Sequence, residues 1–395
     1  MRIPLLLYSD APEGVTGLGR ITRDLAQHIY NDPDTNSVYE VATYGYQSIG
    51  SRQLPWPQYS AKSVETVHPD LRTVWEDFSQ GREGALLPIM PPSWIFGLVH
   101  PNYVFQENPK LAEMCMWLGT KPFQIWPYLA IESCGPGMKF NAATVSTIVQ
   151  CAKPLFYSRF GQKVAENSGI ANVPFIHHGI YTDIFKRSGV DVIKHKRQEL
   201  KCNNDTVVIG CCATNTSRKR LGLLFASFAH YQSTYQRNSK LWLHTNREIG
   251  EWNIGELLRD YGFTLNDSVA ITLSKPYLTD QWLADFYSTC NATILPTHGE
   301  GFGYPIVESQ ACGTPCVTGS FACEAELTTP DLTVGYLTSE PEGIHNLIRP
   351  HYNHQSFSNA LNQAIHKPTD GLAELIKQRW DWEVQWPKFK EWLLK

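Results

Sequence analysis

Residues 292–313 constrain this chain more than any other stretch. The largely apolar run Ala292–Leu295 reads as a short strand. Glu300 follows, then Gly301 and Gly303, and Pro305 opens the next segment. Proline suits the first helical position, where a missing N–H is not needed, and Gly313 suits the stop. The order is therefore strand, glycine loop, helix. Such a turn offers free backbone N–H groups and the positive end of a helix, which together favour a phosphate. A second carboxylate, Glu308, lies eight positions after Glu300, within the first turns of the helix. Tyr304, Glu308 and Ala311 or Cys312 share one helical face.

The string Glu300-Gly301-Phe302-Gly303-Tyr304-Pro305-Ile306-Val307-Glu308 runs on to Ala311, Cys312, Gly313, Pro315 and Val317. It resembles the Glu-x7-Glu signature of retaining GT-B glycosyltransferases of the family-4 type, with matches at eleven positions over eighteen residues. The resemblance implies an α/β fold of two Rossmann-like domains facing across a cleft, with a C-terminal helix crossing back to the first. It also implies transfer of a sugar from a nucleotide-diphosphate-sugar to an acceptor hydroxyl.

Length and charge agree with that frame. The 395 residues suffice for two domains of ordinary size. A net charge of −4 gives no bulk attraction to nucleic acid or to an anionic membrane. Met1–Asp10 reads as a first strand rather than a signal peptide, and no apolar run reaches a membrane span. Ten cysteines lack CxxC pairs and regular spacing, so reduced thiols and a cytoplasmic setting are expected, with at most peripheral membrane contact.

Strand-like and helical segments alternate throughout, which argues for parallel sheets. The strand candidates of the first half are Ile3–Ser9, Tyr39–Tyr44, Ile95–Val99, Pro122–Trp126, Leu155–Ser158 and Val173–His177. Those of the second half are Val207–Cys212, Leu241–His244, Ala270–Leu273, Thr293–Leu295 and Cys316–Thr318. Leu54–Pro101 is irregular and rich in proline and aromatics, and reads as an elaborated loop. The run His177–Phe185 resembles the segment by which the family enters its second domain. The expected division is therefore 1–186 for the acceptor domain and 187–374 for the donor domain. The helix 375–395, with Trp380, Trp382, Trp386 and Trp392, would pack on the first domain.

Other loops carry chemistry. Ala213–Arg220 follows a buried-looking strand and precedes a helix. Its cations Arg218, Lys219 and Arg220 stand at a strand's C-terminal end, where an α/β sheet binds anions, and they suit a diphosphate. The resemblance assigns Lys219 to the donor diphosphate. It places the family's usual arginine nearer Asn215, with Arg218 acting from elsewhere in the loop. Gly14–Arg20, with Gly17 and Gly19, joins a strand to a helix. It resembles the family's glycine loop that faces the cleft, and a plain turn with a cap reads equally well. Ile125–Glu132 resembles a subset of relatives with a Pro-x-x-Asp pattern, which puts Glu132 in the acidic place; a surface glutamate beside the Ser133–Gly137 loop is the alternative. Lys275 and Pro276 sit where relatives pack the nucleotide base.

The resemblance implies roles for these residues. Glu308, expected on a cleft-facing helix outside the core, would accept the ribose hydroxyls. Glu300 would orient the sugar near the anomeric carbon. The N–H groups of Gly301, Phe302 and Gly303, with Lys219 and Arg218, would stabilise the departing diphosphate. Retention and independence from any metal or cofactor follow from the family. The expected acceptor is a saccharide or glycoconjugate. Hydroxymethylated bases of viral DNA, held by Arg20, Lys62, Arg72 and Arg82, form the alternative, as does a nucleotide-sugar 2-epimerase on the same fold.

Overall fold

Apolar runs alternating with amphipathic segments build two separate parallel sheets. The computed structural model describes all residues except 15, 47–52, 62–69, 104–108, 276–277 and 344–345; at 103 and 109–111 it describes the backbone only. Unit 1 comprises Met1–His178 with Trp386–Lys395, and unit 2 comprises Gly179–Gln385. The division thus falls before the 186/187 boundary read from the sequence, and the returning segment starts at Trp386 rather than at 375.

In unit 1 the strands are β1 (Ile3–Asp10), β2 (Tyr39–Tyr46), β3 (Gln58–Ser60), β4 (Ala85–Met90), β5 (Gln124–Ile125), β6 (Tyr128–Leu129) and β7 (Leu155–Phe156). They line up as β3-β2-β1-β4-β6-β7, with β5 also beside β4. β1 is buried from Pro4 to Asp10, as a parallel strand covered on both faces must be. The Gly17–Asn31 helix lays Ile21, Leu25 and Ile29 on the sheet, the spacing its sequence calls for.

Three expectations fail here. Ile95–Val99 is not a strand; it is split between a short 3-10 turn, Pro92–Ile95, and a helical turn, Phe96–Val99. The central strand is Ala85–Met90, inside the stretch expected to be an irregular loop. It contains Pro88, which ordinarily argues against a central strand. The exception has a cause. Leu86 and Met90 accept hydrogen bonds from Trp126 and Ala130, so Pro88, between them, faces the same side. The ladder is interrupted there, between the β5 and β6 pairings, so the missing N–H costs a single rung. Val173–His177 likewise contributes one isolated bridge, Phe156 to Phe175, rather than a strand.

The returning segment is anchored within unit 1 by polar contacts as well as rings. Trp386 Nε1 and Lys390 Nζ donate to Asp32 Oδ2 at 3.0 and 2.9 Å. Tyr39 donates its hydroxyl to the Leu393 carbonyl at 2.6 Å. Phe389 meets Tyr128 edge-on with centroids 5.1 Å apart.

In unit 2 the strands are β8 (Val207–Cys212), β9 (Ser239–Thr245), β10 (Val269–Leu273), β11 (Ala292–Leu295), β12 (Cys316–Gly319), β13 (Thr333–Val334), and a separate antiparallel hairpin, β14 (Thr338–Glu342) with β15 (Leu347–His351). The six sheet strands run β10-β9-β8-β11-β12-β13, all parallel. Counted within the unit this is the doubly wound order 3-2-1-4-5-6, whose topological switch lies between the first and fourth strands, β8 and β11. Loops leaving their C-terminal ends diverge and leave a crevice, where such sheets bind ligands. All ten cysteines are free thiols. Among the described residues no helix is long and apolar enough to cross a membrane.

Candidate active site

The loops after β8 and β11 meet at this switch point. Residues 213–216 lead into a 3-10 turn, Ser217–Lys219. Arg220 then takes a left-handed conformation and opens the Leu221–Thr234 helix. From β11, residues 296–303 run to the Tyr304–Ala311 helix. The backbones are joined where His298 N–H donates to the Arg218 carbonyl at 2.9 Å. The arginine side chain answers across the same junction, from Nη1 to the Gly299 carbonyl at 2.5 Å.

Glu300 sits at the centre. Lys219 Nζ reaches its Oε1 at 2.6 Å and Arg218 Nη1 its Oε2 at 3.0 Å. The carboxylate is 5% exposed. Burial alone would push its pKa up, but the two cations and their hydrogen bonds outweigh burial and hold it at about 2. Glu300 is therefore an anion at any physiological pH, locked between two cations. The triad retains one net positive charge.

Glu324, which the sequence reading missed, supports this arrangement from behind. It lies in the Cys323–Glu326 turn after β12 and is fully buried. Its Oε2 accepts the backbone N–H of Glu300 at 3.0 Å, while its Oε1 is buried without a partner. Burial, reinforced by the Glu300 charge, raises its pKa to about 7 against the bonds it accepts.

The glycine loop behaves as its chemistry requires. Gly303 has φ +114° at the helix start, where a Cβ would also stand 3.0 Å from Ile306 Cδ1. Pro305 occupies the first turn, and no side chain caps that end. Glu308 departs from expectation, because it lies in the core with 1% exposure. Tyr287, on the Asp280–Thr289 helix, donates its hydroxyl to Glu308 Oε2 at 2.7 Å. Tyr287 is a second residue the sequence did not single out.

Comparison with known proteins bears on this site. Residues 193–379 match the family described as glycosyl transferases group 1. The chain carries a glycosyl transferases group 1 domain. Over 118 residues it is 31% identical to D-inositol 3-phosphate glycosyltransferase of Streptosporangium roseum, covering 29% of this chain and 24% of that protein. The match thus spans about a quarter of the length of that curated relative. An uncharacterized glycosyltransferase of Sulfolobus islandicus rod-shaped virus 1 is 23% identical over 231 residues, 55% of this chain and 64% of its own length. Among solved structures, sucrose-phosphate synthase of Thermosynechococcus elongatus superposes with a TM-score of 0.69 at 13% identity, covering 100% and 99% of the two chains. HepE of Anabaena, solved with UDP and glucose, gives 0.68 at 15% identity over 99% of each. These likenesses show the fold, a GT-B architecture of two α/β domains with parallel sheets.

Within the group 1 domain, Asn215 is placed differently from its expected donor contact. It is fully buried. Its Nδ2 donates to the carbonyls of Arg247, Glu248 and Trp252, and its Oδ1 accepts Trp252 N–H at 2.9 Å. The side chain is used up in bracing the 246–252 loop. Lys275 is exposed just beyond β10, and Pro276 lies outside the described residues.

Gly17, Gly19 and Glu132 belong to unit 1, after β1 and β6. Thr16 caps the Gly17–Asn31 helix by accepting Gly19 N–H, and donates to the buried Asp10. A Cβ on Gly19 would stand 2.5 Å from the Ala11 carbonyl, so this glycine is needed for close packing. Glu132 is half-buried, and its charge adds to the burial that raises the Tyr157 hydroxyl well above its ordinary pKa. Of the cations expected for a phosphate-binding patch, Arg72 is paired with Glu76 and Glu113, and Arg82 with Glu40. Lys62 lies outside the described residues.

Proposed function

We infer that the chain is a retaining glycosyltransferase that moves a sugar from a nucleotide-diphosphate-sugar to the hydroxyl of a saccharide or glycoconjugate. The observation that carries this reading is Glu300 held between Lys219 and Arg218 at the switch point of a group 1 domain. A departing diphosphate gains negative charge in the transition state. Fixed cations and the N–H groups of Gly301–Gly303 stabilise that charge without reorganising. Glu300 keeps both cations in place and turns its oxygens to the sugar. Glu308 accepts the ribose hydroxyls, with Tyr287 orienting its carboxylate. Attack comes from the face the diphosphate leaves, with the departing phosphate oxygen taking the acceptor's proton.

The net charge of the triad and the N–H groups of the glycine loop together take over a metal's charge role, so the reaction runs without one. Activity is expected to persist in excess EDTA; complete loss, restored by Mg²⁺ or Mn²⁺, contradicts this. A thermal-shift panel of UDP-, GDP-, ADP- and TDP-sugars identifies the base, and NMR of the product anomer tests retention. The pairing of Arg72 and Arg82 with carboxylates favours a saccharide over a polyanion. Transfer of label onto hydroxymethylated duplex DNA, with binding that falls steeply as salt rises, would reverse that choice.

A further inference from the structure

A second basic cluster lies in unit 2, on residues the reaction above does not use. Arg220 follows Lys219 in sequence and opens the Leu221–Thr234 helix, a helix start with no side-chain cap. The Arg220 Nε is buried without a partner. His298 stands two residues before Glu300, is 7% exposed, and has its Nε2 buried without a partner. The β14–β15 hairpin brings up Arg349 and His351, with the His351 ring 6.3 Å from that of His298. Burial, then the charges of Arg220, Arg349, His351 and Arg218, depress the His298 pKa to about 3.

The anions facing this cluster are weak holders. Arg349 pairs with Glu342 Oε2 at 3.3 Å, and that glutamate side chain is 65% exposed. His351 pairs with Glu340 at 3.0 Å, and that partner is 68% exposed. Glu342 also acts on Arg220, partly offsetting the depression that burial imposes on the guanidinium. A single solvent-facing carboxylate thus serves two guanidiniums. Ion pairs with an exposed partner contribute little. Buried nitrogens without partners are rare in folded proteins and call for a ligand or water. A phosphate, with three acceptor oxygens and nearly two charges, satisfies more of these donors at once than Glu342 does.

We propose that Arg220, His298 and Arg349 form a second anion site in unit 2, beside the Glu300 pair and separate from it, which takes a phosphate group. Glu342 occupies its mouth as an internal stand-in for that phosphate. The site does not depend on the glycosyl transfer assigned above, and its test needs no turnover.

The test is calorimetric titration of inorganic phosphate, and in a second arm glucose 6-phosphate, into the full chain with UDP present at saturation. Phosphate is expected to bind with UDP in place. Arg349→Ala should weaken it about tenfold, the loss of one charge-assisted contact, and Glu342→Gln should strengthen it by removing the competing carboxylate. Glu342 is exposed and Arg349 lies on a two-stranded hairpin apart from the six-stranded sheet, so the fold is retained. Tighter binding of glucose 6-phosphate than of inorganic phosphate assigns the site to a sugar-borne phosphate; equal binding assigns it to the free ion. No heat with either ligand, displacement by UDP, or affinity unchanged in both variants overturns the site.

Discussion

Glu324 holds Glu300 by its backbone: the Glu324 Oε2 lies 3.0 Å from the Glu300 amide nitrogen. One carboxylate thus fixes the main chain of another whose side chain is committed to two cations. Their titrations run in opposite directions. Glu300 drops from 4.5 to about 2, so its contribution to stability is full above pH 4.5 and is lost as pH falls through 2. Glu324 rises from 4.5 to about 7, so its contribution is full below pH 4.5 and is lost as pH rises through 7. Each shift corresponds to roughly 3 kcal/mol. Glu324→Gln keeps the acceptor and removes the titration. It is expected to flatten the fall in Tm between pH 4.5 and 7, and an unaltered Tm profile would refute the assignment.

Glu308 in the core changes what its removal does. Glu308→Ala takes away the carboxylate that the buried Tyr287 hydroxyl donates to, so it should lower Tm as well as donor affinity, by about 1–3 kcal/mol for the lost charge-assisted bond. Tyr287→Phe is the sharper probe, because it spares the carboxylate and removes a hydroxyl bonded to it. A rise of roughly tenfold in donor KM with little loss of Tm is expected. Unchanged KM in a folded Tyr287→Phe protein would remove Tyr287 from the site.

Lys219→Ala should reduce kcat more than it raises donor KM, because diphosphate charge grows in the transition state. It also strips Glu300 of one of two cations. Combined with Glu300→Gln, the losses should be non-additive by about 0.5–3 kcal/mol. Strict additivity in that cycle would show that the pair does not act as a unit.

Asn215→Ala removes a side chain bonded to the backbone at Arg247, Glu248 and Trp252. At about 1 kcal/mol for each of these four bonds, a loss of roughly 4 kcal/mol is expected. Hydrogen exchange should quicken at residues 246–252 while donor KM stays within about twofold. A large KM change at constant Tm would restore Asn215 to the donor site.

How legible the site was depended on where its residues lie in the chain. Glu300, Gly303, Pro305 and Lys219 stand in strand–loop–helix turns whose glycine and proline chemistry can be read locally. Glu324 and Tyr287 are bound to that turn only through the sheet's strand order. Glu324 follows β12, and Tyr287 looks like any aromatic on the apolar face of a helix. Their one sequence signal is a polar group inside an otherwise apolar environment, and burial is not visible before folding. The strand errors have a similar origin. Ile95–Val99 and Ala85–Met90 are both short apolar runs, and periodicity cannot separate strand from helix at that length. Pro88 ordinarily argues against a central strand, and the gap between β5 and β6 that tolerates it is a tertiary fact.

The split composition of unit 1 has a consequence for how the chain is made. Asp32 and Tyr39 emerge from the ribosome early, yet their partners Trp386, Lys390 and Leu393 follow only after every residue of unit 2. The first sheet therefore waits, with the edge of its helical layer uncovered, while the second unit is synthesised and has time to fold. Vectorial synthesis makes the last segment a closing latch, and a ribosome that stalls after residue 385 leaves unit 1 unlatched beside a finished unit 2.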